Sequence, residues 1–99
     1  MSNDPVLSRL GFARKAGKLN VGFAASKESV LNNNAKLIIV ANDISPKTEK
    51  EIRFFAREKC PVKKISSSGD EMSAAIGVRA GVVALCDQGF ADAILKFLS

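Results

Sequence analysis

Histidine is absent from this chain of 99 residues, and so are tryptophan and tyrosine. Histidine is the usual general base and the commonest metal ligand, so its absence argues against most hydrolytic and metal-dependent chemistry. The two cysteines, Cys60 and Cys86, form no Cys-x-x-Cys pair of the kind that binds zinc. The chain also lacks Gly-x-Gly-x-x-Gly and the Gly-Lys-Ser/Thr phosphate loop, which are the common nucleotide-binding motifs. We therefore predict that the protein is not an enzyme and holds no metal or cofactor.

Phenylalanine is the only aromatic residue type and occurs six times. Exposed aromatic side chains are what many RNA-binding domains use to stack bases. Here the spacing within the helical segments is typical of buried positions, and we predict that four of the six lie in the core: Phe12, Phe55, Phe90 and Phe97. Phe54 and Phe23 are the exceptions. Phe23 directly follows Gly22 and could pack either on a nucleotide or against the core.

No apolar run approaches the roughly 20 residues that a membrane-spanning helix needs. The N-terminal Met-Ser-Asn-Asp-Pro lacks the basic start of a secretion signal. We therefore predict a cytoplasmic protein with no membrane partner, in which both cysteines are buried and reduced.

Charge is distributed unevenly along the chain. The formal net charge is +5, made up of +4 in residues 1–27, +3 in residues 28–69 and −2 in residues 70–99. A basic chain of this kind favours a polyanionic partner. The acidic pairs Asp70 with Glu71 and Asp87 with Asp92 are better explained as helix caps and first-turn charges than as catalytic carboxylates.

Helical and strand patterns alternate along the whole chain. Asp4 before Pro5 and Ser45 before Pro46 predict two helix starts, and Gly17 predicts a helix end. The predicted helices cover residues 5–16, 22–32, 47–59, 71–76 and 89–97. Apolar or short extended runs predict strands at 18–21, 37–41, 62–65 and 82–86. This order predicts a single α/β domain over residues 1–99, with helices on both faces of a small sheet.

The stretch from Ala13 to Lys27 contains four cations and no acidic residue. Its second helix opens at Gly22, so the backbone N–H groups of the next residues face outward at the positive end of the helix dipole. Phosphate is the natural occupant of such a site. We predict that phosphate approaches Phe23, Ala24 and Ala25, with neighbouring cations from Arg14, Lys15, Lys18 and Lys27.

Several strings in this order resemble the ribosomal-protein superfamily of the L7Ae type, which binds kink-turns in RNA, and most closely its small bacterial YlxQ-type members. They are Leu-Gly-Phe-Ala-Arg-Lys-Ala-Gly-Lys at 10–18, Gly22, Ala-Lys-Leu-Ile-Ile-Val-Ala-Asn-Asp at 35–43, Ala-Ile-Gly at 75–77 and Asp-Gln-Gly-Phe-Ala at 87–91. The resemblance implies a three-layer α/β/α sandwich around a mixed four-stranded sheet.

The resemblance also implies where RNA is held. In the family, the helix start after the glycine reads guanine edges and phosphates, and an apolar loop before the last strand covers extruded bases. Gly22 matches that glycine and Lys18 matches a frequent basic position. The loop corresponds to Gly77 and Val78, with Arg79 beside them. The implied partners are a structured RNA, such as a kink-turn or ribosomal RNA, and the ribosome, with the protein acting as a monomer.

Three positions depart from the family pattern. Kink-turn readers usually place Asn, a polar residue such as Glu, and then Lys where this chain has Ala24, Ala25 and Glu28. Alanine offers no hydrogen bond to a base edge, so we expect recognition of RNA shape more than sequence.

Two other functions remain open from the sequence. The same fold could act as a protein-interaction module, because apolar residues stand where polar readers are expected. A small-molecule enzyme could use the loop around Asp43, since α/β sheets often hold ligands at the carboxyl end of a buried strand. The lack of histidine disfavours this second alternative.

Overall fold

The computed structural model describes residues 4–98. Met1 to Asn3 and Ser99 lie outside this range. The prediction that the N-terminus is not a secretion signal depends partly on Met1 to Asn3 and therefore concerns residues outside the described range. The five helices are α1 (Pro5–Lys15), α2 (Phe23–Leu31), α3 (Pro46–Ala56), α4 (Gly69–Ile76) and α5 (Gln88–Leu98). The four strands are β1 (Leu19–Val21), β2 (Leu37–Val40), β3 (Val62–Lys64) and β4 (Val82–Leu85).

The strands form one mixed sheet in the order β1-β4-β2-β3. Strand β4 is antiparallel to both of its neighbours, pairing Leu85 with Leu19 of β1 and with Leu37 of β2. Strand β3 runs parallel to β2, with Val62 opposite Ile38, and forms one edge of the sheet. The central strands β2 and β4 are buried at every residue, as their continuous apolar sequences predict.

Helices cover both faces of this sheet and enclose two cores. One core lies under α1, α4 and α5 and contains Leu7, Leu10, Leu37, Ile39, Met72, Leu85 and Ile94. The other lies under α2 and α3 and contains Val30, Ile38, Val40, Ile52, Ala56 and Ala84. The predicted α/β/α sandwich with a mixed four-stranded sheet is therefore confirmed. Within residues 4–98, none of the helices combines the length and apolar character of a bilayer-crossing segment.

Short polar side chains cap α1, α3 and α4 at their first turns. The Asp4 carboxylate accepts hydrogen bonds from the N–H groups of Val6 and Leu7, and the Ser45 hydroxyl accepts one from Thr48. Ser68 and Glu71 cap α4 reciprocally. Such caps satisfy backbone donors that the helix itself leaves unpaired, and they confirm the predicted cap-plus-proline starts of α1 and α3.

The third helix ends at Ala56, earlier than the predicted end at residue 59. Arg57 leaves the helical conformation with ψ of 138°, and Glu58 adopts a φ of +63°. A left-handed residue of this kind stops an α-helix.

On the neighbouring edge strand β3, Lys63 and Lys64 are exposed.

Two of the four phenylalanines predicted in the core are exposed instead. Phe12 is 59% exposed and Phe97 is 48% exposed. The buried face of α1 is formed by Val6, Leu10 and Ala13, and Phe12 lies on roughly the opposite side at 100° per residue. Phe55 and Phe90 are partly buried.

The two cysteines are free thiols, as predicted, but they are only partly buried, so the prediction that both are buried is wrong. Both lie just outside regular elements, Cys60 before β3 and Cys86 after β4. Burial, with a smaller contribution from Cys86, raises the pKa of the Cys60 thiol.

Gly11 sets the separation of α1 and α4. A methyl group on it would lie 2.8 Å from the backbone oxygen of Ala75. Alanine normally stabilises a helix interior by about 1 kcal/mol over glycine. Here we expect Gly11→Ala to lower the free energy of unfolding by about 1–3 kcal/mol, because the two helices must move apart.

Urea unfolding followed by circular dichroism measures this effect. The control is Ser8→Ala at an exposed position of the same helix, which should stay close to the parent. A stability gain for Gly11→Ala would show that the helices are not in close contact at this point.

Candidate nucleic-acid interface

Gly22 joins β1 to α2 in a conformation that favours glycine. Its φ is +97°, a region that other residues rarely adopt. Its N–H donates a hydrogen bond of 2.8 Å to the carbonyl of Val82, the first residue of β4, and its carbonyl accepts one from Ser26. The start of α2 is therefore tied to the start of β4.

The first turn of α2 carries no cap from its own chain. Among residues 4–98, no side chain hydrogen-bonds at the Gly22 cap, and the first turn has no acidic residue. Ala24 is exposed, and its neighbours Phe23 and Ala25 are partly buried. The backbone donors of a helix start require a partner from outside the helix, so this end has the geometry and the polarity of an anion site.

The loop between α4 and β4 lies beside this helix start because it leads directly into Val82. Gly77 ends α4 in the left-handed conformation at φ +82°. The Ser73 hydroxyl accepts a hydrogen bond of 2.9 Å from the N–H of Ala80 and donates one of 2.7 Å to the carbonyl of Gly69. These bonds fold the loop back against α4.

The tip of this loop exposes one apolar and one charged side chain. Val78 is 38% exposed. Arg79 lies 3.8 Å from the carboxylate of Asp70, and both side chains are almost fully exposed. Exposed ion pairs of this kind contribute little stability, so Arg79 is available for a stronger anionic partner.

Arg14 connects α1 to the same loop. One guanidinium nitrogen, Nη1, donates a hydrogen bond of 2.9 Å to the carbonyl of Ile76 at the end of α4. The same nitrogen lies 3.3 Å from where a Cβ on Gly77 would be. A cation at a helix C-terminus interacts favourably with the helix dipole, so Arg14 fixes the loop as well as adding positive charge.

Two of the predicted cations, Lys18 and Lys27, lie away from the first turn of α2. The ammonium group of Lys27 lies 4.2 Å from the ring centroid of Phe55 on α3. The carbonyl of Lys18 accepts a hydrogen bond from Cys86, at the opposite end of β1 from Gly22. Lys18 and Gly22 flank the three residues of β1, and the four residue steps between them span roughly 13 Å.

The structure thus divides the eleven predicted site residues into two groups. Gly22, the residues of the α2 first turn, Arg14 and the loop residues Gly77, Val78 and Arg79 surround one surface. Lys18 lies at the far end of β1, Lys15 extends from the last turn of α1, and Lys27 packs on α3. Ser73, whose hydroxyl holds the loop through Ala80, was not predicted from the sequence. A serine seven residues before its backbone partner forms no recognisable sequence motif.

The loop after β2, considered above as an enzyme site, lines an open cleft of about 270 Å³ with Ser73 and Arg79. The Asp43 carboxylate accepts a hydrogen bond of 2.8 Å from the N–H of Gly69 at the start of α4. It therefore has a structural role in positioning that helix. Among residues 4–98, no group of three or more acidic or cysteine side chains is arranged to hold a metal ion.

The chain is similar to ribosomal proteins over almost its full length. Residues 4–94 match the model of the ribosomal protein L7Ae/L30e/S12e/Gadd45 family. The large ribosomal subunit protein eL30 of Yarrowia lipolytica is 31% identical over 101 residues, covering 99% of this chain and 93% of that protein. The corresponding protein eL30B of Schizosaccharomyces pombe is 30% identical, covering 92% of this chain and 80% of that protein.

Solved structures share the fold. A Bacillus halodurans protein of unknown function superimposes with a TM-score of 0.88 at 26% identity, covering 94% of this chain and 95% of its own. The 15.5 kD RNA-binding protein of Giardia lamblia superimposes with a TM-score of 0.75 at 16% identity, covering 99% and 88%. At that identity, the second similarity concerns the fold alone.

We expect Ser73→Ala to loosen the loop at residues 77–81. The N–H of Ala80 would lose its acceptor, so the free energy of unfolding should fall by about 1–2 kcal/mol and the Ala80 amide should exchange faster with deuterium. Hydrogen exchange followed by NMR measures the second effect. Ser66→Ala, at an exposed position, is the control. Unchanged exchange at Ala80 in Ser73→Ala would mean that other contacts hold the loop.

Proposed function

Since the chain belongs to the ribosomal protein L7Ae/L30e/S12e/Gadd45 family, we propose that it is a ribosome-associated RNA-binding protein that holds a sharply bent RNA, such as a kink-turn, at the start of α2. The observation that carries the proposal is the uncapped first turn of α2. The hydrogen bond from Gly22 to Val82 holds this turn beside the loop at 77–81. The protein acts, on this proposal, as a cytoplasmic monomer with one RNA-binding domain over residues 1–99.

The relatives support the ribosomal part of the proposal. The eL30 proteins belong to the large ribosomal subunit and align with this chain almost end to end. Within the family, the strings at residues 10–18, 35–43 and 87–91, which resemble small bacterial YlxQ-type members, support placing this protein in that branch. No catalytic step forms part of the proposed function.

Binding would rest on backbone groups and charge. The N–H groups of Phe23, Ala24 and Ala25 approach phosphate, and the small alanine side chains let the RNA backbone come close to the helix. Arg14 and Arg79 flank this contact and neutralise neighbouring phosphates. The exposed Val78 covers an extruded base, as an apolar loop tip can.

Recognition would then depend on RNA shape. Ala24 and Ala25 have no side-chain donor or acceptor for a base edge. A bent backbone can present its phosphates to the helix start and the loop at once, which a straight duplex cannot do equally well. We therefore expect preference for kinked over straight RNA with little discrimination among base sequences.

The exposed apolar side chain of Val78 and the alanines at the start of α2 also suit a second candidate function, in which this surface docks on a ribosomal or transcription protein. The two functions differ in their salt dependence. Counterion release makes RNA binding fall steeply with salt, whereas an apolar protein interface responds much less.

The main experiment titrates the protein with a labelled kink-turn duplex and with an unkinked duplex of equal length at two or more salt concentrations. We expect tighter binding to the kinked RNA. With three to five phosphate contacts, log Kobs should fall against log salt with a slope of roughly −2 to −4.5. Equal affinity for both duplexes would contradict kink-turn recognition, and a flat salt profile would favour the protein-docking function.

A carboxylate placed in the site tests its position. We expect Ala24→Asp to lower RNA affinity by about ten-fold or more, equivalent to about 1.4 kcal/mol, because the new side chain caps the helix start and repels phosphate. Fold stability should be kept or raised, since an acidic group at a helix start is favourable. Fluorescence anisotropy and urea unfolding measure the two effects.

The matched control is Asn34→Asp, which makes the same change in charge at an exposed position beyond the far end of α2. It should retain nearly parental RNA affinity at moderate salt. If both variants lose affinity equally, the effect comes from net charge and the helix start is not the binding site.

A further inference from the structure

A second surface, on the α1 and α5 side of the protein, combines exposed rings with cations. Phe12 of α1 is 59% exposed, and Phe97 of α5 is 48% exposed with the guanidinium of Arg9 only 4.6 Å from its ring centroid. Arg9, Phe12 and Lys15 follow one another at three-residue spacing on α1, so they form one ridge of the helix surface.

The exposed ring of Phe12 borders an open cleft between α1 and α5. The cleft has a volume of about 410 Å³ and is lined by Arg9, Phe12, Asp87, Gly89, Phe90 and Ala93. This volume falls within the range of pockets that bind small organic groups. Its walls include the exposed ring of Phe12, the partly buried ring of Phe90 and the side chain of Arg9.

The charge around this cleft is mainly positive on the α1 side. Lys18 lies close to it because its carbonyl accepts the hydrogen bond from Cys86, next to Asp87. The carboxylate of Asp87 accepts a 3.0 Å hydrogen bond from the N–H of Phe90 and so caps α5. On the same helix, the Asp92 carboxylate accepts a hydrogen bond from the Gln88 side chain.

We propose that this cleft binds an unpaired nucleotide of RNA, with the base stacked on Phe12 and the adjoining phosphates near Arg9, Lys15 and Lys18. Cations interleaved with an exposed ring are the combination by which proteins bind single-stranded nucleic acid. A purely apolar protein partner would leave these three cations without a role. The inference rests on the proposed RNA-binding function and extends it to single-stranded segments that flank the bent RNA.

The two surfaces lie at opposite ends of β4. Gly22 is hydrogen-bonded to Val82 at its start, and Lys18 is hydrogen-bonded to Cys86 just beyond its end. The separation is again roughly 13 Å along the strand. One RNA with a structured part and a short tail can therefore reach both surfaces.

The test uses three labelled RNAs that share one kink-turn duplex: blunt-ended, with a short single-stranded tail, and with an abasic tail of the same length. Fluorescence anisotropy gives the affinity of each. In the parent protein we expect the normal tail to increase affinity by about five-fold or more, as one stacked base does. The abasic tail, which keeps its phosphates but has no bases, should give a clearly smaller gain.

We expect Phe12→Ala to remove most of the gain from the tail while leaving the affinity for blunt RNA unchanged. The matched control is Phe54→Ala on α3. Phe54 is 56% exposed, with the Arg57 guanidinium 4.3 Å from its ring centroid, but it is on the other face of the sheet. This variant should keep the full gain from the tail.

The outcomes separate this inference from the proposed function. If Ala24→Asp weakens binding of blunt and tailed RNA alike and the gain from the tail persists, both sites are supported. If blunt RNA does not bind but a single strand binds in a Phe12-dependent manner, the α2 site fails and this one stands.

Three results would overturn the inference. The first is the absence of a tail gain in the parent, and the second is an equal loss in Phe12→Ala and Phe54→Ala. The third is a concentration-dependent dimer, seen by analytical ultracentrifugation, that Phe12→Ala abolishes without changing the tail gain. That last result would assign the exposed rings to self-association.

Discussion

The hydrogen bond between the N–H of Gly22 and the carbonyl of Val82 is the contact on which the candidate site depends. It ends β1, orients the first turn of α2 and places the loop at 77–81 next to it. Only a residue that tolerates a φ of +97° can occupy this corner without strain. Two segments 60 residues apart in sequence are thereby held as one surface, with a helix dipole on one side and an arginine-fixed loop on the other.

Much of the fold could be predicted from the sequence, because the signals are local. The buried strands at Leu37–Val40 and Val82–Leu85 are continuous apolar runs, and Asp4 and Ser45 before prolines mark helix starts. The grouping of the cations could not be predicted. Lys18 and Gly22 are four residues apart in sequence, yet a strand separates their positions, and which loop lies beside each end is set by pairing with β4.

The phenylalanines illustrate a second limit of sequence reasoning. Hydrophobicity predicts burial for Phe12 and Phe97, but the face of each helix that is buried depends on how α1 and α5 cross the sheet. On α1 the smaller residues Val6 and Ala13 face the core and the larger ring faces solvent. Burial of the aliphatic side chains of these helices leaves both rings at the protein surface.

The edge strand β3 has a consequence for how this protein behaves when many copies are present. The outer backbone edge of such a strand is a place where another strand could add, and such edges can template aggregation. Here the Val62 carbonyl already accepts a hydrogen bond of 3.3 Å from Arg53, which covers part of the edge. Lys63 and Lys64 are exposed on this strand. Lys64 is paired with Glu49 at 3.1 Å, so Lys63 is the cation that two copies approaching edge to edge would bring close together. The same positive charge that suits a polyanionic partner therefore also discourages the chain from polymerising with itself.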